Sequence, residues 1–557
     1  MKMKIKLLCI VILSIGNQAY AQNTQGFFLN GDQTKTAPVP GDYIKYNQPT
    51  SAVSVDITVD YGKVTGKVSK YIYGNNTNPY MSNIVGQSEL LNDIKTLQPQ
   101  ILRYPGGNLS NVFFWNAAPG EKQADVPDTI LYGDNREKKP ERIWYGRDED
   151  VNTLSLNNYY ATLKQTNSTG IICVNYGYAR YGTGTNPVQK AAHLAADWVR
   201  HDHGRTRFWE VGNENYGAWQ AGFQIDTAQN KDHQPRYITG QLYGAHFKVF
   251  ADSMKAAARQ VGATIYIGAV IIETPKEKSW EGEIEKNWNA GFFKMAHNTA
   301  DFFIVHSYYT PYNQNSSASL ILNTATAETA KIIAYMHQLT HDYHVDIKPV
   351  ALTEWNIFAS GSKQACSYIN GIHAAIVLGE LAKNKYGMAS RWDLANGYSE
   401  GNDHGMFSKG DEPGIPLWNP RPVYYYMYYF QKFFGDQLIE SSVSGSSDVL
   451  VYASRFSSGE VGLVIINKGL SQQTMHIKTE NFIPGKRYYL YTLTGGNDNG
   501  EFSQKVFVNG QGGKYEAGGV SAVEKIKSFS ALTGKRITVS SPGYSVQYVL
   551  IENEKIK

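Results

Sequence analysis

The chain is predicted to be an α/β protein, a (β/α)8 TIM barrel followed by an additional antiparallel β-sandwich domain. Three observations predict this. Short apolar runs alternate with amphipathic helical stretches through the middle of the chain, the pattern of βα units on a parallel sheet. Eight such runs fall between Tyr71 and Asn396, the number a closed barrel requires. From about Gln437 the helical period disappears, and apolar and polar residues alternate between Gly, Asn and Ser turns.

The elements follow in order. Residues 1–21 read as a signal peptide. Lys2, Lys4 and Lys6 precede an apolar core from Leu7 to Ile15, and Ala19-Tyr20-Ala21 supplies a small-x-small cleavage site. The mature protein is therefore expected to be secreted or periplasmic. Residues 22–50, polar and rich in Gly, Pro, Asn and Gln, read as a flexible leader. Residues 51–69 contain VSVDITVD, a period-two strand expected to join the C-terminal sandwich. The barrel is assigned to residues 70–432. Its candidate strands are KYIYGNN, PQILRYPGGN, TGIICVNYG, TRFWEVGNE, ATIYIGAVI, DFFIVHSYY, KPVALTEWN and MASRWDLAN. Between them lie helical stretches such as VQKAAHLAADWVRH and YINGIHAAIVLGELAKN, and Ala117 to Asp150 reads as one long βα loop. Residues 433–557 form the sandwich.

Composition narrows the function. A formal charge of +4 over 557 residues, without clustering, leaves no footprint for nucleic acid. No later stretch is apolar for long enough to span a membrane. Cys173 and Cys366 do not make a disulfide framework and read as buried thiols. The 39 tyrosines within a 13% aromatic content tilt the reading toward a carbohydrate partner, because aromatic rings stack on sugar faces. No cofactor or metal is expected. His201 and His203 in VRHDHGR lack further ligands, Gly182-Thr183-Gly184 lacks a phosphate-loop lysine, and no Gly-x-Ser-x-Gly elbow occurs. The oligomeric state is left open.

In a barrel the active site lies at the C-terminal ends of the strands. The fourth candidate strand ends in Phe208-Trp209-Glu210-Val211-Gly212-Asn213-Glu214, and alternation points Glu210, Gly212 and Glu214 the same way. The seventh ends in Ala351-Leu352-Thr353-Glu354-Trp355-Asn356. Either glutamate alone reads equally well as an arginine partner or a helix cap. Facing each other across a barrel mouth, two carboxylates are the apparatus of glycosidic bond cleavage: one protonates the leaving oxygen and the other attacks the anomeric carbon. His306, at the end of strand six, is placed to bind a sugar hydroxyl or to orient a carboxylate.

These motifs resemble glycoside hydrolase clan A. Within it, LRYPGGN, VNYG, VGNENYGAWQ, VHSYY and TEWNIF look like family 51, the α-L-arabinofuranosidases. The resemblance implies a retaining double displacement on a polysaccharide or oligosaccharide. Glu214 would be the general acid/base, its pKa raised by burial and by the nearby nucleophile, and Glu354 would be that nucleophile. Asn213 would bond the sugar 2-hydroxyl, Arg103 would sit at the barrel floor, Tyr308 would touch the nucleophile and Asn108 would reach the sugar. Trp115, Trp219 and Trp355 are candidate stacking platforms. Departures from the family pattern concern the sugar rather than the bond. Asn215-Tyr216-Gly217-Ala218 replaces the residues usual after the acid/base, and Asp393 stands where the family offers a glutamine. Two alternatives remain: an endo-acting hydrolase of the agarase, xylanase or glucanase type, and an inactive carbohydrate-binding barrel.

Overall fold

The computed structural model describes residues 24–554 apart from 32–33, 133–136, 141, 276–281, 402 and 513–517, so the predicted signal peptide lies outside the described residues. Eight parallel strands lie side by side in chain order: Gly74–Asn76, Ile101–Tyr104, Thr169–Val174, Phe208–Val211, Tyr266–Val270, Phe302–Tyr308, Val350–Asn356 and Met388–Ala389. All eight candidate runs are strands. The seam between the eighth and first is closed by a parallel bridge between Asn75 and Arg391, with the Arg391 N–H donating to the Gly74 carbonyl at 2.9 Å.

Helices begin where short polar side chains stop the strand-to-helix loops. Ser155, Thr239, Ser317 and Ser367 each accept a backbone N–H of the first turn, opening Leu156–Thr166, Gly240–Gln260, Ala318–Asp342 and Tyr368–Lys383. Pro187 and Pro422 open two further helices, Pro187–Asp202 and Pro422–Phe433.

Inside the barrel, below the strand ends that carry chemistry, Ile101, Ile171, Phe208, Phe302, Ile304 and Met388 form one apolar layer. Phe28 completes it from underneath, fully buried, its ring 5.0 Å from Phe208 and 5.5 Å from Phe302. Phe27 stacks on Tyr266 at 3.7 Å. The contact is close enough that a Cβ on Gly387 would lie 2.2 Å from the Phe28 ring. The flexible-leader expectation therefore differs from the structure at residues 24–31 and 34–50. Two phenylalanines in a polar segment close the barrel floor through the turn Gly26–Leu29, and Tyr43–Lys45 pairs with Ser528–Leu532.

The C-terminal region is a single 12-stranded sheet that curls over its own core rather than two separate layers. Most neighbours are antiparallel, as expected. Val55–Lys67, however, runs antiparallel to Gln437–Ser444 and parallel to Gln473–Glu480. Its Val55, Ile57 and Val59 point inward, packing with Ile439, Leu463, Val539 and Val549. The opposite face lies on the barrel through Tyr368–Lys383 and Pro422–Phe433. Tyr429 packs against Tyr491 and Tyr548, the Tyr548 hydroxyl donates to the Tyr426 carbonyl at 2.8 Å, and Tyr452 donates to Glu380 at 2.9 Å. Much of the tyrosine excess is thus mortar between barrel and sheet rather than sugar-binding surface.

Candidate active site

The site is built on Arg103, which rises from strand two inside the barrel and is fully buried. Its guanidinium donates to Glu210 at 2.8 Å, Asn76 at 2.9 Å, Glu354 at 2.8 Å and Asn213 at 2.9 Å. One planar fork therefore fixes the ends of strands one, four and seven relative to one another.

Strand four stops at Val211, and the chain then turns away from strand geometry. Gly212 has φ +79°, and a Cβ there would lie 2.0 Å from the Asn215 amide oxygen. Glu214 itself adopts φ +42°, an uncommon conformation for a non-glycine residue that is concentrated at functional positions. The shared direction expected for Glu210, Gly212 and Glu214 consequently does not hold. Glu210 belongs to the Arg103 floor, while the turn lifts Glu214 to the mouth. Its Oε1 lies 2.9 Å from His306 Nδ1, and its Oε2 accepts from the Trp219 indole at 2.8 Å. Gln220, 3.4 Å from that oxygen, also donates to Asn108 at 2.6 Å, so exposed Asn108 belongs to the rim on the Glu214 side.

Strands six and seven deliver the second half. The register shifts between Val305 and His306, so that Leu352 faces Val305 while Glu354 faces His306. The irregularity re-aims the carboxylate. Glu354 accepts from Arg103 on one oxygen and from the Tyr308 hydroxyl on the other at 3.0 Å, with His306 Nδ1 3.7 Å away. The far nitrogen of His306 lies 3.0 Å from the Thr353 hydroxyl. His306 is thus wedged between the two glutamates. Ligand atoms of Glu214, His306 and Glu354 lie within 4.8 Å of one another. Such a trio could hold a metal ion, but each member is already engaged by protein partners.

Charge follows from the geometry. Burial alone would raise the Glu214 pKa, but the hydrogen bond and charge of His306, the Trp219 N–H and Arg103 outweigh it and lower it. This reverses the expected direction. His306 moves the opposite way: burial would lower it, but Glu354 and Glu214 together raise it. The pair therefore holds a shared proton biased toward the imidazole. Burial and then the Glu354 charge push the Tyr308 hydroxyl well above its ordinary range, so it stays a donor.

Other assignments divide. Asn213 bonds Arg103 through its oxygen, and its buried amide nitrogen has no hydrogen-bond partner among the described residues. Asp393 lies across the mouth, accepting from the Tyr80 hydroxyl at 2.8 Å, and burial holds its pKa well above normal. Trp219 is 42% exposed, as a platform must be. Trp355 is not a platform. It follows inward-facing Glu354 on the strand, points into the helix layer and is 1% exposed. Trp115 is not one either, since it stacks on Trp198 and donates to the Leu194 carbonyl at 2.9 Å. Cys173 and Cys366 are buried free thiols. Sequence reasoning missed Asn76, Asn78, Tyr80 and Gln220. Asn76 ends strand one, and Asn78 and Tyr80 follow it, so the last residues of that strand were a legible signal.

A barrel with two carboxylates converging at its C-terminal mouth, one of them on an arginine floor, has the architecture of a glycoside hydrolase. Comparison with known proteins makes the likeness more specific. The family model described as an alpha-L-arabinofuranosidase 1 domain matches residues 93–321. A probable alpha-L-arabinofuranosidase C of Aspergillus flavus is 25% identical over 172 residues, 29% of this chain and 31% of that one. An intracellular exo-alpha-(1->5)-L-arabinofuranosidase of Streptomyces lividans is 23% identical over 237 residues, 41% and 30% of the two chains. The matched stretch spans about a third of the length of these relatives. The alpha-L-arabinofuranosidase of Thermotoga maritima shares the fold, with a TM-score of 0.61 at 19% identity, covering 90% of this chain and all of that one. CelM2, a bifunctional glucanase-xylanase from a metagenome library, aligns with a TM-score of 0.58 at 14% identity over 90% of this chain and all of that one. The chain is an arabinofuranosidase-like barrel protein with a C-terminal β domain.

Proposed function

We propose that the protein is an exported retaining glycoside hydrolase of the α-L-arabinofuranosidase type, cleaving by double displacement. The observation that carries this reading is the spacing of the two glutamates, whose oxygens approach within 4.8 Å with His306 between them. Retaining enzymes hold their carboxyl groups about 5–5.5 Å apart, whereas inverting ones leave about 6.5–9.5 Å for a water. Export rests on the pattern of the first 21 residues.

Glu354 attacks the anomeric carbon while Glu214 protonates the departing oxygen. Substrate binding displaces the Trp219 and His306 contacts of Glu214 and excludes water, which favours the proton on the carboxyl instead of the imidazole. Once the glycosyl-enzyme has formed, the Glu354 charge is gone, and Glu214 deprotonates the incoming water. Asn213 offers its free N–H to the sugar 2-hydroxyl. The Arg391–Asn396 segment and the Asn215–Ala218 turn govern which sugar is accepted.

Two experiments test the reading. With aryl α-L-arabinofuranoside as substrate, proton NMR of the first-formed sugar is expected to show retained configuration, and inversion overturns the mechanism. Glu354→Ala is expected to be inactive and to form the inverted glycosyl azide when azide is added. Wild-type turnover in this variant removes Glu354 from the role. Monosaccharide as the first product from a branched polysaccharide supports exo action, and oligosaccharides support the endo alternative.

A further inference from the structure

Tyr312 is the most exposed of the Phe, Tyr and Trp side chains among the described residues, at 74%, and Trp219 is the next. Both follow the ends of barrel strands, at the mouth, and each is linked to one of the two glutamates. Trp219 donates directly to Glu214. Tyr312 reaches Glu354 through two further rings. It meets Phe358 edge to face, with centroids 5.0 Å apart and an interplanar angle of 89°. Phe358 in turn lies parallel to Tyr308 at 4.2 Å, and the Tyr308 hydroxyl donates to Glu354 at 3.0 Å. An aromatic ledge therefore runs from the nucleophile out into solvent.

The segment that carries Tyr312 is braced on both sides of it. Thr310 Oγ1 donates to the Phe358 carbonyl at 2.7 Å and accepts the Phe358 N–H at 2.8 Å. The Gln364 side chain holds Ser316 in the same two-way manner, donating to its carbonyl at 2.8 Å and accepting its N–H at 3.0 Å. Asn315 accepts the Ser360 N–H at 3.2 Å. The loops after strands six and seven are thus tied together, with one large ring left standing in water. Leaving that much apolar surface wet forgoes the gain of burial, which a partner on the ring would recover. A ring on a braced loop also loses little freedom when it binds. From Thr310 to Ser317 the sequence TPYNQNSS carries no charged side chain, only hydroxyls and amides around the ring. An aromatic face for C–H groups, flanked by neutral hydrogen-bonding groups, suits an uncharged sugar.

We propose that Tyr312 and Phe358 form a subsite that stacks a second sugar unit, beyond the one attacked by Glu354, so that the substrate is held as an uncharged glycan chain of more than one unit. The subsite deepens the hydrolase reading of the mouth and rests on it for the class of ligand.

The test is affinity electrophoresis of the full-length protein in native gels holding soluble arabinan, arabinoxylan or β-glucan. Every sample carries Glu354→Gln, so that the polymer is not cut. The parent should be retarded in at least one gel. In that gel Tyr312→Ala should raise the dissociation constant about tenfold, while Tyr312→Phe and Tyr312→Trp, which keep a ring, should stay within about twofold of the parent. The ring packs on a single aromatic neighbour at the surface, so its replacement leaves the fold intact. No retardation of the parent in any gel overturns the proposal, as does a Tyr312→Ala variant retarded like the parent. Equal losses in Tyr312→Phe and Tyr312→Ala also overturn it, because the hydroxyl rather than the ring face would then be the contact. Hydrolysis of aryl α-L-arabinofuranoside by the wild type is measured separately. Its presence keeps the activity reading standing if the ledge fails, and its absence removes that reading while retardation in the gels still decides the ledge.

Discussion

Replacing Tyr308 by Phe removes a single interaction. The ring is held independently, stacked on Phe358 at 4.2 Å with an interplanar angle of 13°, so packing survives and only the O–H donated to Glu354 Oε2 at 3.0 Å is lost. A hydrogen bond to a charged group contributes about 1.5–3 kcal/mol. At about 1.4 kcal/mol per tenfold change in rate, this corresponds to roughly 10- to 150-fold. The two half-reactions should feel the loss unequally. In the first, Glu354 surrenders its charge to the anomeric carbon, so a donor that stabilises the free carboxylate gives the transition state no net advantage. In the second, Glu354 departs as a carboxylate, and the donor strengthens as charge develops. Tyr308→Phe should therefore lower kcat by about 10- to 150-fold while kcat/KM falls much less. The glycosyl-enzyme should accumulate and give a burst of aryl leaving group near one per active site in stopped flow. Equal losses in kcat and kcat/KM without a burst refute the reasoning.

Three further outcomes follow from the same geometry. In the wild type the proton shared by Glu214 and His306 leaves with a pKa set by the raised imidazole. In His306→Asn it leaves from Glu214 alone, whose ordinary range is lower, so the alkaline limb of kcat/KM should move to lower pH. A limb that stays put or moves up shows that the proton is not shared. Phe28→Ala empties the barrel floor and should cost about 3–5 kcal/mol in the urea transition of the barrel. A cost below about 1 kcal/mol makes the plug dispensable. Gly212→Ala forces a Cβ against Asn215 at a left-handed φ, displacing the adjoining turn that carries Glu214. Displacements near 1 Å cost about a hundredfold. Its kcat should fall by at least tenfold with the far-ultraviolet circular dichroism unchanged, and wild-type turnover refutes the role of the turn.

How much was legible in the sequence depended on whether a residue obeyed its element's period. Buried parallel strands are apolar on both faces and punctuated by turn residues, so all eight were visible, and Val55, Ile57 and Val59 announced their face by alternation. Phe27 and Phe28 were not legible, because a four-residue turn has no period and its polar surroundings disguise two rings that plug a barrel. Trp219 and Trp355 both follow a candidate carboxylate closely, yet only one reaches the mouth. To separate them requires knowing that strand seven continues through Trp355, burying it by alternation, while strand four has ended before Trp219. The Glu214 pKa was misjudged for a related reason: its controlling partner, His306, lies 92 residues away, on a strand whose register shift sets it opposite Glu354. The two glutamates could be named from their neighbours, but their orientations come from positive φ at Gly212 and Glu214 and from that register shift. These departures from regular geometry coincide with the chemistry because strain and irregularity persist only where the surrounding structure holds them in place. Here Arg103, bonded to the ends of strands one, four and seven, is what holds them.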